Sequence, residues 1–485
     1  MDLTLSTDLY QLTMACGYWK AGIAEQRAVF HLFYRRPPFG GAYAIAAGLD
    51  DALTYLEELD FSPEELAYLG SLRKEDDTPL FPSAFLDSLA DLRCELDVHT
   101  VPEGTVVFPH EPLLRVEGPL LQAQLVETTL LNLVGFQTLV ATKAARVCDA
   151  ARGQGGEREP VLEFGLRRSH GPDGGASASR AAFVGGCDAT SNVLAGMRYG
   201  IPVKGTHAHS WVMAFDTERE AFETYAEAFP GGSVFLVDTY DSLEGTRVAT
   251  EVGAQLRAAG HEMVGIRLDS GDMAELSIGA RRILDEAGFP AATIVASGDL
   301  DEHAITALKE RGARIDVWGV GTRLTTAYDQ PSLGAVYKLG AIREEPSADW
   351  EYRMKVSSTP AKRSIPGQLG VRRFMRGGEW VADAIYDETL GLGDAPLVGP
   401  ETGAARAVPA DAEGHELLRP VLAAGRRTDP AEPLATARER ARASVDALPA
   451  ALRERTTDAR HFVGLDARLA RVRESITESH REKHR

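Results

Sequence analysis

EMVGIRLDSGDMAELSIGARRILDEAGFPAATIVASGDLDE, residues 262–302, decides the fold. An apolar run through Ile266 and Leu268 ends in Asp269, Ser270, Gly271 and Asp272. An amphipathic helical segment, Met273–Ala287, comes next, and a second apolar run ends in Ser297, Gly298 and Asp299. Strand, helix, strand at this spacing is what a βαβ unit requires, because parallel neighbours need a long crossover. The order continues on both sides: SVFLVDTYD (233–241) and RIDVWGVGTRL (314–324) are further strand-length runs, separated by helical Glu244–Ala259 and Glu302–Arg311. Upstream, the run Val161–Leu166 ends in Arg167 and Arg168, and the run Ile201–Val203 ends in Lys204, Gly205, Thr206, His207 and His209. Six such runs, each finishing in polar and glycine residues, predict an α/β protein with a closed (β/α) barrel rather than an open sheet. No GxGxxG follows a first strand, so a dinucleotide-binding Rossmann domain is not expected.

The rest of the chain arranges itself around that core. TDLYQLTMACGYW (7–19) has helical spacing and a Thr7 or Asp8 cap. Residues 95–118 are β-like and broken by prolines, which suits a small antiparallel domain. The expected division is an N-terminal α+β domain over 1–125, completed by 371–430, a barrel domain over 126–370, and a helical C-terminal segment over 431–485. With 485 residues, more than one domain is expected. A hydrophobic content of 44% and a charged content of 25% are those of a globular protein. The net charge of −19 argues against nucleic-acid binding and makes clustered arginines stand out. Cys16, Cys94, Cys148 and Cys187 form no CxxC pair, which fits a reducing cytosol. MDLTLSTDLY has no apolar core like that of a signal peptide, and no run is long enough to span a bilayer, so a cytoplasmic protein is expected.

The strand-terminal residues form one inventory. Carboxylates are Asp188, Asp238, Asp241, Asp269, Asp272 and Asp299; cations are Arg167, Arg168, Lys204 and Arg267. Gly298, Gly319 and Gly321 offer backbone N–H groups, with Ser270 and Thr322 beside them. Guanidinium forks suit phosphate and carboxylate oxygens, and carboxylates hold ribose hydroxyls or Mg2+. The mixture points to a phosphorylated sugar. Each aspartate has a plainer alternative, which is to cap the helix that follows. His207 and His209 lack a third ligand at a metal-binding spacing, and an imidazole near phosphate also serves as nucleophile or acid–base group. A sugar-phosphate lyase or aldolase would want a Schiff-base lysine, for which only Lys204 is placed.

TDLYQLTMACGYW, FHLFYRRPPFGGAYAIAAGL, GFQTLVATKAARV, EFGLRRSHGPDGG, GGCDATSNVLAG, GTHAHSW, VDTYDS, RLDSGD and ASGDLDE together resemble the nicotinate phosphoribosyltransferase family, up to about Gly367. The resemblance implies a type II phosphoribosyltransferase with an irregular (β/α) barrel, a homodimer with shared active sites. The implied reaction joins nicotinate to phosphoribosyl pyrophosphate, giving nicotinate mononucleotide and pyrophosphate, with Mg2+ and with ATP hydrolysis coupled through a phosphohistidine at His209. By matching motif, Tyr10 would stack on the pyridine ring from the neighbouring subunit and Phe164 on its other face. Arg167 would lie by the ring and pyrophosphate, Asp188 near the ring, and Thr206 against the substrate. Arg267, Asp269 and Ser270 would hold the phosphoribosyl part, and Gly298, Asp299, Gly319, Gly321 and Thr322 the 5′-phosphate. GQLGVRR at 367–373 departs from the more basic run expected there. A nicotinamide-using relative and a non-catalytic phosphoribosyl-binding protein are the alternatives.

Overall fold

A computed structural model describes residues 3–153, 156–345, 347–357, 359 and 362–483. The chain falls into two units: residues 140–331, and residues 1–139 together with 332–485.

The middle unit carries the repeating pattern. Its strands are β1 (Val161–Glu163), β2 (Ala189–Thr190), β3 (Val234–Leu236), β4 (Gly265–Leu268), β5 (Thr293–Ser297) and β6 (Val317–Val320). They lie in the order β2-β1-β6-β5-β4-β3, and every pairing is parallel. The strands are short and apolar because helices cover them: Ile266, Leu268, Ile294, Ala296 and Val320 are fully buried. Each such side chain contributes roughly 1.5–3 kcal/mol when removed from water. Beyond β2, Thr190 bridges to Val203 in parallel, and the backbone N–H of Leu236 in β3 donates to His207 Nε2 at 3.2 Å. The segment after Ile201 therefore touches both outer strands of the sheet.

The helices between the strands are α1 (Gly171–Val184), α2 (Val193–Tyr199), α3 (His209–Val212), α4 (Glu218–Ala228), α5 (Ser242–Ala258), α6 (Met273–Glu286), α7 (Glu302–Glu310) and α8 (Thr322–Thr325). Asp241, Asp272 and Asp301 cap α5, α6 and α7, each accepting two backbone N–H groups of the first turn. The capping alternative is thus the right one for Asp241 and Asp272. Among the described residues, no helix is long and apolar enough to cross a membrane.

The other unit is a mixed α/β body built on two sheets. In the first, the order is Glu351–Tyr352, Val336–Arg343, Arg27–Phe33, Leu114–Pro119, Asp97–Thr100, Arg419–Ala423, Arg426–Arg427, with antiparallel pairing throughout. Three strands from the first part of the chain form the middle of this sheet, with strands from the last part on either side. The second sheet joins Glu379–Asp387, Leu369–Arg376 and four shorter strands. Residues 431–485, expected to be helical, hold helices Leu434–Asp446, Ala450–Arg453 and Ala467–Lys483, but also the strand Val463–Leu465. That apolar triplet is half to fully buried and pairs parallel with Asp383–Ile385, so tertiary pairing overrides the helical composition around it.

A buried charge network pins this second sheet. Arg373, 5% exposed, donates from Nη2 to Asp383 Oδ2 at 2.7 Å and from Nη1 to the Val106 carbonyl at 3.0 Å. Its guanidinium lies 4.1 Å from the Trp380 ring centre. Burial would raise Asp383, but Arg373, Glu111 and His461 outweigh it and hold the carboxyl below the usual range. Burial and Asp383 push Glu111 the other way, above the usual carboxylate range. Removing one partner strands a buried charge. Asp383→Ala should therefore cost about 3–5 kcal/mol in urea unfolding; a loss below about 1 kcal/mol, the range of exposed pairs, would contradict the network's role.

Candidate functional site

The carboxyl ends of β4 and β5 and the segment after Val203 meet at one guanidinium. Arg267 projects from β4 and donates from Nε to Ser297 Oγ at 3.0 Å, at the end of β5. Its Nη1 donates to Thr206 Oγ1 at 2.6 Å and to the His207 carbonyl at 3.3 Å, and Nη2 to Asp269 Oδ1 at 3.3 Å. Asp269 also accepts from the Ser297 hydroxyl. Burial would raise the Asp269 carboxyl, but Ser297, Arg267 and His209 together hold it below the usual carboxylate range.

Asp238, two residues past β3, braces the same loop. Its Oδ2 accepts from the Asp269 N–H at 3.1 Å and the Ser270 hydroxyl at 2.6 Å. Its side chain is 1% exposed, and Oδ1 is buried without a hydrogen-bond partner. That oxygen faces His209, whose Nε2 lies 4.0 Å from it and 3.9 Å from Asp269 Oδ2.

The two histidines separate cleanly. His207 is 8% exposed, its Nε2 accepts a backbone N–H, and its ring packs on Tyr225 at 4.8 Å. Burial lowers its pKa to about 4, so it is neutral and structural. His209 opens α3 with its side chain 39% exposed; Thr239 Oγ1 lies 3.1 Å from Nδ1, and Nε2 makes no hydrogen bond. His209 is the accessible imidazole of the two.

The second cluster sits at the ends of β1, β5 and β6. The Phe164 N–H donates to the Val320 carbonyl at 2.9 Å, which lays its ring against Gly319, where an added Cβ would stand 2.7 Å from the ring. Gly298 has φ +93, and a Cβ there would meet the Asp269 carbonyl at 2.3 Å. Asp299 carries a side chain at φ +31 and is exposed, and Thr322 begins α8. Arg167 and Arg168 stand exposed on the turn after β1. Glu163, 1% exposed, shapes that turn by accepting from Ser179 Oγ at 2.8 Å, Thr190 Oγ1 at 2.5 Å and the Gly165 N–H.

Two expected residues stand apart. Asp188 precedes β2 instead of ending a strand, and its Oδ2 accepts the Val161 N–H at 2.9 Å, at the amino end of β1. The residues at the carboxyl end of β2 are Thr190, Ser191 and Asn192, the last capping α2. Tyr10 lies in the other unit, on the helix Leu9–Ala21, and is 49% exposed. Sequence reading named Ser297 only as the end of a strand run and did not single out Thr239. Among the described residues no group of three or more His, Cys, Asp or Glu is arranged to hold a metal by itself.

These strand ends gather arginines, glycine turns and an imidazole between two carboxylates on a parallel α/β sheet, chemistry that suits an anionic, phosphate-bearing ligand. Comparison with known proteins agrees. Residues 5–135 match the nicotinate phosphoribosyltransferase N-terminal domain, and residues 161–350 match the nicotinate phosphoribosyltransferase family. Nicotinate phosphoribosyltransferase of Bacillus subtilis is 49% identical, over 80% of this chain and 77% of its own length. The Homo sapiens enzyme is 36% identical, over 97% and 96%. The crystal structure of human nicotinic acid phosphoribosyltransferase superposes with a TM-score of 0.83 at 34% identity, covering 97% of this chain and 99% of that one. The chain belongs to the nicotinate phosphoribosyltransferase family.

One more carboxylate bears on the site. Burial first, then Asp238, Asp241 and Glu244, push Glu218 from the ordinary 4.5 up to about 7. The folded state thus holds a proton that the unfolded chain releases above 4.5, and stability falls as pH rises from 4.5 through 7. Glu218→Gln should therefore melt higher than the parent at pH 8, the gap closing towards pH 4.5. Parallel melting curves across that window would show that Glu218 titrates normally.

Proposed function

We propose that the protein joins nicotinate to phosphoribosyl pyrophosphate, giving nicotinate mononucleotide and pyrophosphate, in NAD biosynthesis or salvage. The observation that carries this reading is Arg267, a half-buried cation presented at the strand ends beside Asp269 and the two glycine turns. The pyridine nitrogen attacks C1 of the ribose while the C1–O bond to pyrophosphate breaks and the electron pair leaves with the pyrophosphate. The pyridine nitrogen is its own nucleophile, so the protein needs groups that orient and neutralise, and no strong base. Asp269 and Ser270 serve the ribose, and Gly298, Asp299, Gly319, Gly321 and Thr322 the 5′-phosphate. Phe164 packs on the pyridine ring, and Arg167 stands at its carboxylate and the leaving group. Asp188, committed to a backbone N–H at the far strand end, stays outside this set.

The parallel strands form an irregular barrel in this reading. Its closure is supported by the bridge at Val203 and by His207, which accepts from β3 while its carbonyl accepts from Arg267. The protein acts as a homodimer, with Tyr10 of a second copy completing the ring site; exposed Tyr10 beside exposed Leu9 supports such a contact. Mg2+ suits the site through phosphate oxygens and the unpartnered Asp238 Oδ1, and would offset charge on the leaving group.

His209 couples ATP to synthesis as a phosphohistidine: an N–P bond forms at Nε2 as the bond to ADP breaks, and water later cleaves it. Differential affinity of the phosphorylated and free forms for substrate makes that coupling useful. The purified protein with nicotinate, phosphoribosyl pyrophosphate and Mg2+ should form nicotinate mononucleotide, faster with ATP. ATP should leave an acid-labile, base-stable phosphate that His209→Asn loses, while slow ATP-independent synthesis persists. Absence of mononucleotide in the parent would overturn the reaction, label retained by His209→Asn would overturn the residue, and preference for nicotinamide would favour an amide-using relative.

A further inference from the structure

Two loops follow the neighbouring strands β5 and β6, which pair with Ser297 opposite Gly319. The first, Gly298–Asp301, is bent into the left-handed region at two successive residues, one of them Asp299 with a side chain. Such a conformation persists only where surrounding structure enforces it. Asp301 anchors the end of this loop. Its Oδ1 accepts the His303 and Ala304 N–H groups at 3.0 and 2.8 Å, which fixes the loop to α7. Its Oδ2 accepts from Arg323 Nη1 at 2.8 Å.

Arg323 stands on the second loop's side. It directly follows Thr322 in α8, and its guanidinium lies 4.8 Å from the centre of the Tyr328 ring. Behind the pair, fully buried Glu302 accepts from Arg146 Nε at 2.9 Å and forms an ion pair with Lys143 Nζ at 2.7 Å, and Lys143 also pairs with Asp329. The first loop is therefore held to α7 and the core behind it, and Arg323 is the tie from that anchored loop to the second. The Asp301 side chain is 7% exposed and that of Arg323 is 35% exposed. Without Arg323 the Asp301 carboxylate keeps the His303 and Ala304 N–H donors and is not stranded, so the consequence of losing the pair is local.

We propose that Arg323 is a positioning residue: through Asp301 it keeps the two glycine-bearing loops in register, and so sets the affinity for the 5′-phosphate end of the substrate. The inference rests on the assignment of those loops to phosphate in the proposed function. Arg323 touches no substrate itself. Its removal frees one loop relative to the other, which loosens a phosphate held between backbone N–H groups of both and leaves the pyridine ring's contacts unchanged.

The test is calorimetric titration of the full-length parent, Arg323→Ala and Arg323→Lys with ribose 5-phosphate, alongside steady-state kinetics and melting temperatures. Arg323→Ala should weaken ribose 5-phosphate binding and raise KM for phosphoribosyl pyrophosphate about 10-fold. KM for nicotinate and the melting temperature should stay put, and Arg323→Lys should recover most of the affinity. Unchanged ribose 5-phosphate binding in Arg323→Ala overturns the inference. So does a general loss in which nicotinate KM and melting temperature move together and Arg323→Lys fails to rescue. A parent that binds ribose 5-phosphate yet makes no mononucleotide would sink the proposed reaction alone, with the clamp still decided by the titrations. A parent that does not bind ribose 5-phosphate overturns the clamp whatever its turnover.

Discussion

The four hydrogen bonds of the Arg267 guanidinium are the constraint on which the strand ends depend. One planar group reaches Ser297 on β5, Thr206 and the His207 carbonyl beyond Val203, and Asp269 past its own strand. A lysine, with a single compact charge, could not span these directions at once. Because four of its five N–H groups are engaged within the protein, the arginine is held before any ligand arrives, with one Nη2 N–H left over for a ligand, and Asp269 is kept ionised beside it. Preorganisation of this kind is what an electrostatic site needs, since the cost of ordering the cation is met during folding.

The same constraint sorts the histidines. Arg267 fixes the His207 backbone, and the His207 ring then takes the Leu236 N–H and packs on Tyr225. With His207 committed to the fold, His209 two residues on is turned to the solvent side, between Asp238 and Asp269. Asp238 in turn braces the Asp269 loop with one oxygen and leaves the other unpartnered. Thus one arginine, two carboxylates and one accessible imidazole form a connected set, built by strands that are far apart in sequence.

Five of the six parallel strands were legible because each apolar run is bounded by glycine and polar residues, and a helix period separates them. The expected run Ile201–Val203 forms only a bridge to Thr190, and the short strand Ala189–Thr190 takes its place in the sheet unforeseen. The aspartates were only half legible. Asp238 and Asp269 come directly after their strands and face the site, whereas Asp241, Asp272 and Asp301 come a few residues later and cap helices. Composition alone does not separate these positions; the distance from the strand end does. Asp188 is not at a strand end: the loop before it leads into β2 and does not leave a strand. Ser297 as the partner of Arg267, and Arg323 as the partner of Asp301, arise from tertiary geometry that a linear reading has no access to. The strand Val463–Leu465 was hidden by helices on both sides.

The central claim is that the strand ends around Arg267 hold the phosphoribosyl pyrophosphate. Its most direct measurement is calorimetric titration of phosphoribosyl pyrophosphate with Mg2+ into the parent and into Arg267→Gln, with circular dichroism confirming that both are folded. Loss of a charge-assisted contact of roughly 1.5–3 kcal/mol predicts a dissociation constant raised about 10- to 100-fold. Equal affinity in a folded Arg267→Gln protein would contradict the account.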